Sequence, residues 1–359
     1  MSDAAGPVKT ISDFEAKLDQ AEKAVAHFDE DELSLLQTVR SFLRANPTAI
    51  PAIILFVSIL AFGVVATNFM SAGTLSLILK QVTVTGIVAI AQTIVILTAG
   101  IDLSVGAMLV ISAMVMARLG VMADLPLFLC VSLGMAVGAL MGAINGLLVT
   151  LARIPPFIVT LGTFYVFNAL KLWYTGSESV RAADLEEKAS GLLWFGKSIN
   201  IGGANFIFGS VALILLAVLV WYMLSRTAWG RHVTAVGDDP DAALLSGVQT
   251  NKVLISVYAL AGLICGFGAW VAIGRVGSMS PIAFETVNLD SITAVVIGGT
   301  SLFGGRASIA GSVLGALIVG VFNTGLSLAG VDSYWQMFAS GLLVILAVAI
   351  DQWLRRASQ

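Results

Sequence analysis

Ten stretches of this 359-residue chain are apolar over about the length that crosses a bilayer, which limits the fold before any motif is read. A spanning helix needs roughly 20 mostly apolar residues. The stretches fall at about 48–67, 76–98, 103–122, 125–151, 156–175, 205–224, 253–273, 289–302, 307–328 and 334–354. Lipid cannot satisfy a bare backbone N–H or C=O, so such runs close their hydrogen bonds internally as helices. Hydrophobic residues make up 58% and charged residues 11% of the chain, against about 45–50% and about 25% in soluble proteins. The expected fold is therefore an all-α polytopic membrane protein of about ten transmembrane helices. The run at 289–302 is short enough to be a broken or re-entrant element.

Basic residues set the expected orientation. With both ends inside, twelve of the 19 Lys and Arg residues fall on the cytoplasmic side, and seven, Lys171 among them, on the outer side or outer helix ends. This is a positive-inside bias. The polar loop 226–252 is then cytoplasmic, as are a tail at 1–47 and a short tail at 355–359. In the first tail Ile11, Phe14, Leu18, Ala21, Val25 and Phe28 form a heptad-like stripe. It reads as an amphipathic helix on the membrane surface or on the protein itself, or as a docking site for a partner. No cleavable signal peptide is expected, because the first apolar run has full spanning length. Cys130 and Cys265 lie within predicted helices and read as small apolar residues. Two histidines are too few for a metal site, and no basic tract points to nucleic acid.

Glycines recur on helical stripes: Gly134, Gly138, Gly142 and Gly146, then Gly262/Gly266 and Gly311/Gly315. Small residues on one stripe let helices approach closely in lipid, and packing within the chain is the preferred reading. A weak internal echo links Gly138-Ala-Leu to Gly315-Ala-Leu, with Asn145 and Asn323 following. Two five-helix halves of inverted topology would produce it.

Few residues carry chemistry. Gly191-Leu-Leu-Trp-Phe-Gly196-Lys197-Ser198 satisfies the letter of a phosphate-binding loop. It lacks the preceding strand and following helix that a phosphate cradle requires, so the chain has no nucleotide site of its own. Asp102, Asp290, Asp332 and Asp351 all lie near predicted helix ends, and the helix middles hold the neutral Gln92, Asn145, Asn168, Thr293 and Asn323. Those five either line a pathway for an uncharged, hydroxyl-rich solute or bond helix to helix. Asp102 or Ser104 can cap the helix that follows. Within 226–252 a single short amphipathic helix is expected, started by Asp238, Asp239 and Pro240 and stopped by Gly247. Ala242, Ala243, Leu244 and Leu245 give it an apolar patch, which either seals the bundle or is gripped by a cytoplasmic partner.

Three motifs in order carry a resemblance. They are Thr98-Ala-Gly-Ile-Asp102-Leu-Ser104-Val-Gly106, Gly230-Arg231…Gly237-Asp-Asp-Pro-Asp-Ala-Ala…Ser246-Gly247-Val, and Ile297-Gly298-Gly299-Thr-Ser-Leu-Phe-Gly304-Gly305-Arg306. Over about residues 50–354 the chain resembles the permease subunits of bacterial ABC importers for monosaccharides. Those for ribose, xylose and fructose are nearest, with a lean towards fructose. The resemblance implies an inner-membrane permease dimer, a second copy of this chain being the simpler partner. It further implies a separate ATP-hydrolysing subunit and a periplasmic sugar-binding protein, and no cofactor in this chain. It places the coupling helix at Pro240–Gly247, with Asp238, Asp239, Asp241, Ala242 and Leu245 among its contacts. The turn holding Gly298, Gly299, Gly304 and Gly305 is a second contact. An ion-coupled secondary transporter is the competing reading. A membrane-embedded enzyme would need a nucleophile or metal cluster that the helices do not carry.

Overall fold

The computed structural model describes residues 48–356, so the amphipathic stripe in 1–47 and residues 357–359 lie outside the described residues. Ten apolar helices carry the architecture: α1 (Ala49–Val65), α2 (Ala72–Leu97), α3 (Val105–Met122), α4 (Leu127–Leu151), α5 (Pro156–Thr175), α7 (Phe208–Arg226), α10 (Thr250–Val276), α11 (Val287–Ile297), α12 (Ile309–Leu328) and α13 (Ser333–Arg356). Shorter helices α6 (Ala182–Lys188), α8 (Ala228–Asp238) and α9 (Pro240–Leu245) lie between them. Seven of the ten are long and apolar enough to cross a membrane outright, and α1, α11 and the Ser333–Leu346 part of α13 are shorter apolar helices. Each predicted run is thus a helix, and the chain is a polytopic all-α membrane protein.

Two departures from the expectation are local. The run at 205–224 begins its helix only at Phe208, because Ala204–Ile207 pairs antiparallel with Ser198–Ile201 as a small hairpin. Before the hairpin, Ser190–Gly196 winds as a 3₁₀ turn, so the phosphate-loop lookalike leads into a strand and no helix follows it. Its Gly196 is instead needed for packing: a Cβ there would strike the carbonyl of Gly274 on α10.

The bundle is built around α2, α3 and α10. From Val82 to Leu97, α2 is buried almost without a break, and α10 is mostly buried from Val257 to Gly274. The periphery is apolar outward, with Phe56, Leu140, Trp173, Leu215 and Phe338 exposed on α1, α4, α5, α7 and α13. Such a surface is stable only against lipid or another apolar partner. Cys130 and Cys265 are free and buried.

Glycine explains the closest contact in the bundle. On α4, Cβ atoms at Gly138 and Gly142 would strike the carbonyl oxygens of Gly262 and Tyr258 on α10, and one at Gly146 would lie 2.8 Å from the Ile255 Cα. The stripe therefore serves packing within the chain, where dispersion is the main attraction lipid leaves available. On α12, Gly311 and Gly315 meet the carbonyls of Gly298 and Ala294 in the same way.

The packing partners also show the symmetry that the sequence echo hints at. Helix α4 packs on α3 and α10, while α12 packs on α11 and α2. Helix α5 packs on α3 as α13 does on α11, and α10 packs on α3 as α2 does on α11. Exchanging α2–α5 for α10–α13 leaves this set of contacts unchanged. The first helix of each half departs from it, since α1 packs on α12 and α7 on α2.

Candidate functional site

The polar loop after α7 folds as two helices, not the single one expected. Thr227 caps α8 by accepting the Gly230 N–H at 3.1 Å, and Gly230, Val233, Val236 and Gly237 form its buried face. The sequence reading missed α8 because its apolar face is interrupted by glycines. The recurrence of Gly230, Val233 and Gly237 at three and four residues was the available signal.

Helix α9 follows after Asp239, whose carboxylate accepts from the N–H groups of Asp241 and Ala242 at 2.9 and 3.0 Å. Pro240 occupies the first turn, where no N–H is required. At the far end Gly247 adopts φ +86°, and the N–H groups of Gly247 and Val248 return to the carbonyls of Leu244 and Ala243. This glycine-closed C-terminus satisfies carbonyls that a six-residue helix would otherwise leave open. Ala243 alone turns inward, while Asp238, Asp239, Asp241, Ala242, Leu244 and Gly247 are exposed. Leu245 is 90% exposed. A leucine held outward on a helix capped at both ends is a preformed apolar knob. Beside it a cavity of about 440 Å³ opens between α8 and the start of α10, bordered by His232, Gln249 and Lys252.

The three sequence motifs converge where α8 ends. A Cβ at Gly237 would strike the carbonyl oxygen of Leu97, the last residue of α2, and that same oxygen accepts the Gly305 N–H at 3.1 Å. Gly304 packs against the Gly237 carbonyl and Ala99. Gly299, Gly304 and Gly305 all have positive φ, the left-handed region that glycine enters freely. Gly298 ends α11 with ordinary helical angles and is glycine because Gly311 backbone lies against it. Any movement of α8 is therefore delivered to backbone, with no flexible side chain between.

Behind this junction sits a buried polar knot. Asp102 lies in the turn between α2 and α3, fully buried. It does not cap α3 through the first-turn amides. Its Oδ1 accepts from the Ser104 N–H at 2.7 Å and the Ser104 hydroxyl at 2.6 Å, which closes the turn ahead of the helix. Ser104 sits at the cap position without a capping bond of its own. Asn145 Nδ2 on α4 donates to Ser104 Oγ at 2.8 Å and to Asp102 Oδ2 at 3.3 Å. With its amide oriented by its partners, Gln92 accepts from the Asp102 N–H and donates to the Asp102 carbonyl, each at 3.1 Å.

Gln92 and Asn145 thus join helices to a turn. Thr293 bonds the Leu289 carbonyl of its own helix, and Asn323 accepts from Ser340 on the neighbouring α13. Of the five pathway candidates Asn168 borders the cavity between α3 and α5. Replacing Asn145 by Ala should cost about 1–3 kcal/mol, because it leaves Asp102 short of a partner. Asn145→Asp should cost more, since it sets a second carboxylate against the first. Thermal unfolding of the detergent-solubilised variants checks the order.

One polar group was placed differently by the sequence reading. Lys171, assigned to an outer helix end, is 5% exposed and buried in the bundle, donating to Asn168 Oδ1 at 2.6 Å. Among the described residues no cluster of His, Cys, Asp and Glu could hold a metal ion.

Residues 74–348 match the family described as branched-chain amino acid transport system / permease component. The chain is 52% identical over 347 residues to the fructose import permease protein FrcC of Rhizobium meliloti, covering 96% of each. It is 36% identical to the ribose import permease protein RbsC of Bacillus subtilis, over 93% of this chain and 97% of that one. Identity to the galactose/methyl galactoside import permease protein MglC of Escherichia coli is 33%, over 79% and 88%. No solved structure matches. By the extent of that match, the chain belongs to the permease-component family of these transport systems.

Proposed function

We propose that this chain is the membrane-spanning permease subunit of an ATP-driven importer that carries a monosaccharide, fructose being the first choice, across the bacterial inner membrane. Although the family description mentions branched-chain amino acids, the similar relatives are named for fructose, ribose and galactose import. The observation that carries the mechanism is the exposed Leu245 on a doubly capped helix whose lever, α8, ends in backbone contact with α2 and the α11–α12 turn.

Both termini and α8–α9 lie in the cytoplasm, where a separate ATPase subunit takes hold of α9. The basic residues Arg226, Arg231, Lys252 and Arg306 around that end favour this orientation. The working unit is a pair of permease chains, two copies of this one, fed by a periplasmic sugar-binding protein. Closure of the ATPase dimer draws two α9 helices together. Through Gly237 it displaces the end of α2 and the Gly298–Arg306 turn, which biases the bundle from inward-open to outward-open. The chain supplies no catalytic group, and hydrolysis belongs to the partner. Purification of the tagged chain from membranes that also produce the ATPase subunit should recover the two together. Recovery of the permease alone under conditions that preserve membrane complexes would contradict this reading.

A further inference from the structure

A second polar site lies deeper in the bundle, and its depth follows from the length of α11. Eleven residues at about 1.5 Å each span about 16 Å, half of a hydrocarbon core of about 30 Å. The C-terminal end of α11 is fixed at the α8 junction, because the turn it enters bonds Leu97 and packs on Gly237. Its N-terminal end therefore lies about half a hydrocarbon thickness from that junction. There a cavity of about 220 Å³ opens between α3, α5 and the turn leading into α11.

The polar groups around this cavity form a built site. Asn288, in the first turn of α11, is 7% exposed, and its Nδ2 donates to the Leu103 carbonyl at 3.3 Å. Its Oδ1 is buried and has no hydrogen-bond partner among the described residues. A buried amide oxygen without a donor is destabilising, and a bound donor would relieve it. On the facing helix Lys171 offers three N–H donors and uses one on Asn168. Glu285 is the acidic residue across the cavity. Phe164 and Phe284 supply apolar faces. Phe284 adopts φ +57°, a strained region for a bulky residue, and such strain clusters at ligand clamps.

We propose that this cavity within the helix bundle is the station where the solute is held during translocation, and that it takes one small neutral polyol. Asn288 Oδ1 accepts from a sugar hydroxyl, Lys171 donates to another, and the two phenyl rings cover its C–H faces. Donors and acceptors of both kinds with one balanced charge pair suit an uncharged hydroxylic solute better than an ion. A volume below the about 300–1,000 Å³ of drug-sized sites suits a single sugar ring. The site also connects to the drive. Gly237 presses on Leu97, the turn that follows carries Leu103, and Leu103 holds Asn288. Movement at α8 thus reaches the solute-binding amide through one turn of chain.

This inference rests on the importer reading, and one experiment separates the two. Vesicles are reconstituted with permease, ATPase subunit and sugar-loaded binding protein, and uptake of labelled fructose and labelled ribose is measured beside ATP hydrolysis. Asn288→Ala should retain hydrolysis stimulated by the binding protein, lower uptake about tenfold, and shift the fructose-to-ribose ratio. Phe164→Leu should shift the ratio as well, and it decides the question if Asn288→Ala loses hydrolysis. Wild-type ratios in the hydrolysis-competent variants would overturn the station, as would an equal fall for both sugars, which marks a structural role. Wild-type vesicles without ATP-driven uptake would sink the importer reading and the station with it.

Discussion

Leu245→Asp should reduce ATP-driven uptake by at least about 30-fold while the protein still inserts and folds. The side chain is 90% exposed and makes no contribution to the bundle core, so the substitution leaves the permease intact. In the proposed complex the same position is buried against the ATPase subunit. An apolar anchor at the centre of an interface commonly contributes about 2 kcal/mol or more, and an unpaired carboxylate placed there pays a desolvation cost in addition. Gel filtration and thermal unfolding of the isolated variant should match wild type, and recovery of the ATPase subunit should fall with uptake. Wild-type uptake by Leu245→Asp would remove α9 from the drive contact.

Gly142→Leu should destabilise the isolated permease by about 3 kcal/mol or more, the upper range for overpacking. A Cβ at this position falls within the Tyr258 carbonyl oxygen, and Gly138 and Gly146 admit no compensating slide along the stripe. Backbone must separate from backbone along the α4–α10 contact, and the Asn145 bonds to Ser104 and Asp102 loosen with it. Gly162→Ala is the matching control. Nothing lies within 4 Å of a Cβ at Gly162 in the middle of α5, so the gain in helix propensity should leave stability equal or raised by up to about 1 kcal/mol. Melting temperatures in one detergent compare the two, and equal effects would show that the stripe is not under close-packing constraint.

The sequence is informative wherever one physical constraint acts alone. Spanning length and apolarity place all ten helices, since lipid permits little else. Pro240, Asp239 and Gly247 mark α9 because caps are chosen by local backbone chemistry. The short run near 289 reads as a broken element because its length is wrong for a full span, and α11 is indeed a half-span helix. Positions fixed by tertiary packing are less legible. The glycines at 237, 304 and 305 read as loop residues, although each lies against backbone from a distant motif. Gln92 and Asn145 read as interhelical bonds first and as pathway second, and the position of Asp102 between them decides for the first. Lys171 lies four residues from the end of its helix, so sequence places it at the surface. The turn before α11 folds inward and covers it, a long-range event with no local sequence signature.

The measurement that tests the importer reading most directly is uptake by reconstituted vesicles carrying the permease, its ATPase subunit and the binding protein, with a panel of pentoses and hexoses. Uptake should require ATP on the face that bears α8 and α9, and it should persist when proton and sodium gradients are collapsed. Uptake that proceeds without ATP and follows an ion gradient would contradict it.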